Sequence, residues 1–170
     1  LTGVQPALGI LIDSPIRTLT NFNFSVVPMF ILMGALVSAS GMSRELFRAA
    51  NAWVGHLPGG MAMGTVLACG GFAAINGSSV ASAATMTTVA LPEMRRAGYN
   101  SGFAAGVIAS GGTLGIMIPP SVMFILYAII TEQDIASLFI AGILPGLLAI
   151  ALYCAAVQAV YRFKPEWMPR

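Results

Sequence analysis

Long runs of apolar residues, divided by short polar loops, dominate the pattern along this chain. Three stretches contain no Asp, Glu, Lys or Arg: Ala49 to Pro92, Ala97 to Thr131, and Ile135 to Tyr161. An α-helix of about 20 apolar residues is long enough to cross the hydrocarbon core of a bilayer. The pattern therefore predicts an all-α integral membrane protein that folds as a polytopic helical bundle.

Two of the apolar stretches are interrupted near their middle. The first is interrupted by Asn76-Gly77-Ser78-Ser79, and the second between Gly111 and Ser121 by the segment GGTLGIMIPPS. A backbone group without a hydrogen bond is costly in hydrocarbon, so such breaks persist only where protein buries them or where they line a cavity. Paired breaks of this kind indicate the binding site of a transporter.

The segments on either side of this interrupted region have simpler patterns. Residues 1–60, with apolar runs at Leu1–Ile12 and Phe24–Ser40, are interpreted as scaffold and connecting helices. Within them, Ser43–Trp53 has the pattern of an amphipathic helix that lies at the membrane interface. Its predicted apolar face carries Leu46, Phe47, Ala50 and Trp53. Residues 135–163 are expected to form one transmembrane helix.

The first interrupted stretch, residues 61–91, permits two topologies. Its arms, Met61–Ala74 and Val80–Leu91, contain 14 and 12 residues. At 1.5 Å per residue, helices of these lengths span about 21 and 18 Å, whereas the hydrocarbon core is about 30 Å thick. The stretch is therefore either one overlong span or a re-entrant helical hairpin.

Loop charge favours the hairpin, because basic residues mark the cytoplasmic loops of membrane proteins. They occur here as Arg44/Arg48, Arg95/Arg96 and Arg162/Lys164, whereas the loop with Glu132 and Asp134 has none. A hairpin at 61–91, followed by a crossing, broken helix at 101–131, places all three basic pairs on the cytoplasmic side. A single span at 61–91 would divide them. Residues 61–131 are accordingly predicted to form half of a moving transport domain.

The helix ends at the two breaks have opposite polarity. In this topology Met61–Ala74 and Ser101–Gly111 end at the bilayer centre, and the partial negative charge on their carbonyl ends suits a cation. Val80–Leu91 and Ser121–Thr131 begin there, and their free N–H groups suit an anion such as a carboxylate. One pocket would then hold a cation and an acid together.

The second break has two possible origins. Pro119-Pro120 would kink a continuous helix. Three glycines within five residues, Gly111, Gly112 and Gly115, favour an unwound segment instead. An unwound segment is the prediction adopted here.

The oxygen atoms at the first break favour a monovalent cation. Ser78, Ser79 and Ser82 offer hydroxyl groups, and no carboxylate occurs between residues 46 and 92. Calcium and magnesium sites usually use carboxylates, and a proton relay would use an intramembrane carboxylate or histidine. Sodium is therefore the predicted coupling ion.

Composition excludes several other classes of protein. Hydrophobic residues make up 57% of the 170 residues and charged residues 8%, with a formal net charge of +2, so no nucleic acid is expected as a partner. Cys69 and Cys154 lack the spacing of a metal or redox site. Neither a transition-metal site nor an organic cofactor is predicted.

Catalysis is the less favoured interpretation. An intramembrane serine protease would pair a serine in a small-residue motif with a histidine inside the membrane. His56 is the sole histidine of the sequence, it falls in an interfacial loop, and the serine-containing segments do not form GxSG. The chain is therefore not predicted to be an enzyme.

Six segments resemble, in order and spacing, the large membrane (permease) subunit of tripartite ATP-independent periplasmic (TRAP) transporters. They are VPMFILMGALVSASG (27–41), HLPGGMAMGTVLA (56–68), NGSSVASAATM (76–86), LPEMRRAGY (91–99), GTLGIMIPPS (112–121) and FIAGILPG (139–146). The resemblance covers about residues 20–150. It implies an elevator-type ion transporter built from two inverted repeats, of which this chain resembles the first.

The resemblance also implies a function. Members of the family import organic acids, such as C4-dicarboxylates, sialic or other sugar acids and keto acids, and a sodium gradient drives the uptake. A soluble periplasmic binding protein delivers the substrate, and a small membrane subunit completes the scaffold. The chain is thus expected to lie in the lipid bilayer of a bacterial inner membrane as a multi-pass protein with both partners.

Carried onto this sequence, the resemblance implies two neighbouring sites. Sodium is expected on Ser78, Ser79 and Ser82, with backbone oxygens around Gly112, Thr113, Gly115 and Pro119. The substrate is expected beside it, at Asn76, Gly77, Ser78, Pro120 and Ser121. Two other functions stay open. One is a sodium/dicarboxylate elevator carrier that needs no binding protein, and the other is a non-transporting scaffold subunit whose breaks hold no ion.

Overall fold

The computed structural model describes residues 26–169, whose regular structure is entirely helical. The helices are α1 (Val26–Ala39), α2 (Met42–Val54), α3 (Gly60–Asn76), α4 (Ser79–Arg96), α5 (Ser101–Met117), α6 (Val122–Thr131) and α7 (Ile135–Phe163), and a 3₁₀ turn follows at Pro165–Trp167. The apolar run predicted at Leu1–Ile12 lies outside the described residues. The all-α prediction is confirmed.

Within residues 26–169, membrane-spanning length is reached by two helical stretches, the α5–α6 unit at Ser101–Thr131 and α7. A third results if α1 and α2, which are bent by 66° to each other, count as one span. The bend follows Ala39 and includes Gly41, whose φ of +79° lies in the left-handed region that favours glycine. These lengths and the apolar composition confirm the polytopic membrane architecture.

Helices α3 and α4 form an antiparallel hairpin. At its tip Gly77 ends α3 with a φ of +61°, and the Ser78 hydroxyl caps α4 by accepting the N–H of Ala81 at 3.4 Å. At its base the Thr65 hydroxyl lies 3.6 Å from the sulfur of Met94. A straight span would place these two residues far apart, so the chain reverses direction at residues 77–78.

The hairpin arms are longer than predicted. Helix α3 contains 17 residues, from Gly60 to Asn76. Helix α4 contains 18 residues, because it continues through Pro92 to Arg96. The sequence-based limit at Leu91 marks the end of the apolar run, and a helix need not end where its residues become polar. The added turn carries an ion pair at 2.9 Å between Glu93 and Arg96.

The predicted unwinding at the glycines of the second break is wrong. Helix α5 is continuous through all three glycines to Met117, and the break is confined to residues 118–121. The glycines serve close packing instead: a Cβ atom at Gly111 would lie 2.8 Å from Cys69 Sγ, and one at Gly112 would lie 2.7 Å from Ala83 Cβ. The helix ends because Pro119 and Pro120 have no N–H to donate.

The three basic pairs gather at one end of the bundle. Arg44, Arg48 and Arg96 surround one cleft. Helix α7 returns to the same end, where Gln158 Nε2 donates to the Pro58 carbonyl at 2.9 Å and the Asn100 N–H donates to the Trp167 carbonyl at 2.9 Å. This arrangement matches the one that the loop charges favoured.

The acidic loop lies at the opposite end, between α6 and α7. Asp134 caps α7 and accepts the hydroxyl and the backbone N–H of Ser137, each at 2.7 Å. These hydrogen bonds stabilise the carboxylate and lower the pKa of Asp134. The acidic side chain therefore stays charged outside the membrane spans.

The hairpin predicts a specific crosslink. In the full-length protein with all its native cysteines replaced by alanine, Thr65→Cys together with Met94→Cys should crosslink within one chain under mild oxidation, because the hairpin brings the two side chains into contact. Thr65→Cys with Glu132→Cys, which joins opposite ends of the bundle, is the control. Intact-mass and peptide analysis would report both. Crosslinking of the control but not of the first pair would contradict the hairpin.

Candidate functional site at the two helix breaks

The two helix breaks lie in direct contact. The backbone N–H of Val122, the first residue of α6, donates to the carbonyl of Gly77 at the hairpin tip with an N···O distance of 3.3 Å. Gly115 of α5 packs under the same tip, where a Cβ atom would lie 2.7 Å from the carbonyl oxygen of Ser78 and 2.8 Å from the nitrogen of Ser79. Backbone therefore meets backbone at this point, with no room for a side chain.

Carbonyl groups converge on the junction from α3 and α5. In α5 the carbonyl of Gly115 cannot accept its usual helical hydrogen bond, because the residue four positions later is Pro119. The next carbonyl, that of Ile116, accepts the hydroxyl of Ser121 at 3.0 Å instead. The α5 end thus offers an oxygen that the helix itself does not use, which is the kind of group that binds a cation.

Free N–H groups converge on the same junction from α4 and α6. The N–H groups of Ser79 and Val80 at the start of α4, and of Met123 and Phe124 at the start of α6, have no hydrogen-bond acceptor within residues 26–169. Helix N-termini of this kind stabilise anions through the N–H groups and the helix dipole. The junction therefore brings two cation-favouring and two anion-favouring helix ends together.

Two buried polar atoms at the hairpin tip also lack partners among the described residues. Ser82 is 0% exposed and Asn76 is 5% exposed. The Ser82 hydroxyl and the Asn76 Nδ2 atom form no hydrogen bond within the described part of the chain. An unsatisfied buried polar group costs about 1–3 kcal/mol. A bound ion, water or ligand group at the tip would remove that cost.

A cavity of about 500 Å³ opens beside the tip, between α1, the hairpin and α6. Of the residues predicted for substrate or sodium, Asn76, Gly77, Ser78 and Ser79 line it. Pro120 and Ser121 do not line the cavity, and Ser121 is 0% exposed. Most of the remaining lining is apolar. Such a cavity, with few polar groups at one wall, is typical of a small-molecule site.

The residues predicted for sodium are divided between two faces of α5. Gly115 contacts the tip directly, and Gly112 contacts Ala83 one turn further along the hairpin. Thr113 faces away, because its hydroxyl donates to the Ser110 carbonyl at 2.6 Å and lies 2.9 Å from the hydroxyl of Tyr153 on α7. Gly112 and Thr113 also sit within continuous helix, where backbone carbonyls are normally occupied.

Helix α1 supplies a wall that the sequence analysis did not assign to the site. Gly34 packs against the Asn76 side chain so closely that a Cβ atom would overlap Oδ1, and the Phe30 ring covers Gly77. The available signal was a single glycine in the apolar run of α1, and such small residues mark close packing of membrane helices. That signal does not identify the partner.

Comparison with known proteins gives a consistent family. The family model described as "Tripartite ATP-independent periplasmic transporter, DctM component" matches residues 1–169. The chain is 41% identical, over 179 aligned positions, to the C4-dicarboxylate TRAP transporter large permease protein DctM of Pseudomonas aeruginosa, an alignment that covers 99% of the chain and 42% of that protein.

Relatives with other substrates in their names are similarly close. The isethionate TRAP transporter permease protein DctMQ of Oleidesulfovibrio alaskensis is 39% identical over 88% of the chain and 24% of its own length. The 2,3-diketo-L-gulonate TRAP transporter large permease protein YiaN of Escherichia coli is 39% identical over 78% of the chain and 32% of its own length. The chain thus spans less than half the length of these relatives.

The contact at Gly115 predicts a strong effect of adding one methyl group. Gly115→Ala in the full-length protein should lower stability by about 1–3 kcal/mol, because the Cβ atom meets rigid backbone, and should reduce transport. Gly106→Ala on the same helix is the control, since no atom lies within 4 Å of its Cβ position, and alanine favours a helix over glycine. Thermal unfolding and uptake would be measured for both. Equal stability of the two variants would contradict the tight junction.

Proposed function

We propose a function from the premise that this chain belongs to the DctM family of large permease components of tripartite ATP-independent periplasmic transporters. In this proposal the chain contributes half of the ion and substrate sites of a sodium-coupled importer of organic acids. In this proposal the other half comes from the second repeat of the full-length protein. The transporter is not an enzyme. It binds the ion and the organic acid and moves them across the membrane.

The observation that carries the proposal is the meeting of four helix ends at the junction of the two breaks. The Val122–Gly77 hydrogen bond and the Gly115 contact hold the ends together. Ends of opposite polarity at one point suit a cation and an anion that bind together. A scaffold subunit without ligands would have no use for such an arrangement.

Sodium is the cation that we propose for the carbonyl side of the junction. The Ser82 hydroxyl is buried without a partner within residues 26–169, and the Gly115 carbonyl cannot accept a helical hydrogen bond from Pro119. Ser78 and Ser79 lie within one turn of Ser82 on α4. These are neutral oxygen ligands, and a hard divalent cation would favour carboxylates instead. Gly112 and Thr113 take no part in this version of the site.

An organic anion is the substrate that we propose for the N-terminal side. The 500 Å³ cavity reaches Ser79, Val80 and Met123, whose N–H groups have no acceptor in the described residues. C4-dicarboxylate, isethionate and 2,3-diketo-L-gulonate, named for three relatives, are all organic anions at neutral pH. The Asn76 amide supplies a further donor at the wall of this cavity.

The partners in this proposal are a small membrane subunit and a periplasmic binding protein. The isethionate relative is named as one permease protein, DctMQ. In this proposal the small subunit is either a separate chain or fused to the large permease subunit. A periplasmic binding protein implies that the transporter lies in the inner membrane. The basic end of the bundle then faces the cytoplasm, as basic loops do.

Reconstituted transport tests the proposed function. The full-length permease with its small partner would be placed in proteoliposomes, and uptake of labelled succinate and other organic acids measured with and without an inward sodium gradient and the binding protein. Uptake should require both. Uptake with sodium alone would indicate a carrier that needs no binding protein. If thermal unfolding shows that the protein is folded and no acid is taken up, that result would contradict the transport function.

The free hydroxyl on α4 predicts a change in sodium dependence. Ser82→Ala should raise the sodium concentration for half-maximal uptake about tenfold, since loss of one ligand costs on the order of 1.4 kcal/mol. Thr87→Ala is the control, because that exposed hydroxyl donates to the Ala83 carbonyl on the same helix. The measurement is uptake against sodium concentration. An unchanged sodium response in Ser82→Ala would remove Ser82 from the proposed site.

A further inference from the structure

A second and larger cleft lies at the basic end of the bundle, away from the helix breaks. Its volume is about 770 Å³, and it runs between α2 and the base of α4. Arg44 and Arg48 of α2 line one wall, and Glu93 and Arg96 of α4 line the other. Phe47 and Met61 add apolar surface between the walls. The cleft thus combines charged and polar groups with some apolar surface.

The charges of the cleft favour an anion. Three guanidinium groups line it against one carboxylate. Arg48 pairs with Glu45 and Arg96 pairs with Glu93, both at 2.9 Å, and the side chains of these pairs are 48–76% exposed. Exposed pairs of this kind contribute about 1 kcal/mol or less. Arg44 has no ion-pair partner among residues 26–169, so positive charge is left over.

The residues around the cleft are typical of the membrane interface. Helix α2 is amphipathic, as predicted: Phe47 on its apolar side is buried against the bundle, while Arg44 and Arg48 are exposed. Trp53, which was predicted on the same face as Leu46, is 82% exposed, and tryptophan at such a position is typical of the membrane interface. The apolar arm α3 begins at Gly60, after a short loop that follows α2.

We propose that this cleft binds the headgroup phosphate of an anionic phospholipid, with Arg44, Arg48 and Arg96 as its ligands. Basic pockets at the cytoplasmic ends of membrane helices suit such headgroups. The apolar surface of Phe47 and Met61 would contact the glycerol and upper acyl region. Because the ligands come from both α2 and α4, the bound lipid joins the interfacial helix to the base of the hairpin.

The test uses the full-length permease with its small partner in nanodiscs of phosphatidylcholine, with and without phosphatidylglycerol. Thermal unfolding and native mass spectrometry would report stabilisation by the lipid and its retention. Arg44→Gln and Arg48→Gln should each weaken the selective retention of phosphatidylglycerol about fivefold, since one basic residue near an anionic surface contributes on that order. Stability in phosphatidylcholine alone should stay unchanged.

Arg95→Gln is the matched control, because Arg95 neighbours Arg96 on α4 and does not line the cleft. Retention lost equally in Arg95→Gln would overturn the proposal in favour of general surface charge. Inorganic phosphate that stabilises the protein as well as phosphatidylglycerol does would identify a site for a soluble anion and would also overturn it. If Arg44→Gln unfolds in phosphatidylcholine, Arg96→Gln provides the same comparison from the other wall.

Discussion

The backbone-to-backbone contact between Gly115 and the hairpin tip is the constraint on which the rest of this structure depends. It lets α5 approach Ser78 and Ser79 more closely than any side chain would allow, and it places the end of α5 beside the start of α4. The adjacent hydrogen bond from Val122 to Gly77 then fixes where α6 begins. Without the contact, the two breaks would be separate irregularities rather than one junction of helix ends.

Much of the architecture could be predicted from the sequence, because the features that specify it are local. Runs of apolar residues give the helices, and the basic pairs require a hairpin if they are to share one side of the membrane. The interruptions at Asn76 and at Pro119-Pro120 contain residue types that cap a helix or that cannot continue one. The helices and the two breaks are predictions about each segment by itself, and the helical fold confirms them.

The interpretation of Gly111, Gly112 and Gly115 needed information that is not local. Glycine both loosens a helix and allows close packing, and only the neighbouring helix decides between these roles. Here Cys69, Ala83 and the hairpin tip occupy the space that side chains would fill. The same limitation hid the contribution of α1, since nothing in the run around Gly34 indicates that Asn76 lies against it.

A continuous α5 changes which atoms are available to the candidate site. Successive residues of an α-helix point about 100° apart, so Gly112 and Thr113 cannot both face the hairpin, and the Thr113 hydroxyl faces Tyr153 instead. The prolines have the opposite effect, because they free a carbonyl at the helix end without unwinding the turns before it. Within one short segment, the glycines thus allow close packing and the prolines leave a carbonyl without a helical hydrogen bond. This division explains how a polar junction can form in the apolar interior while the helix that carries it stays rigid.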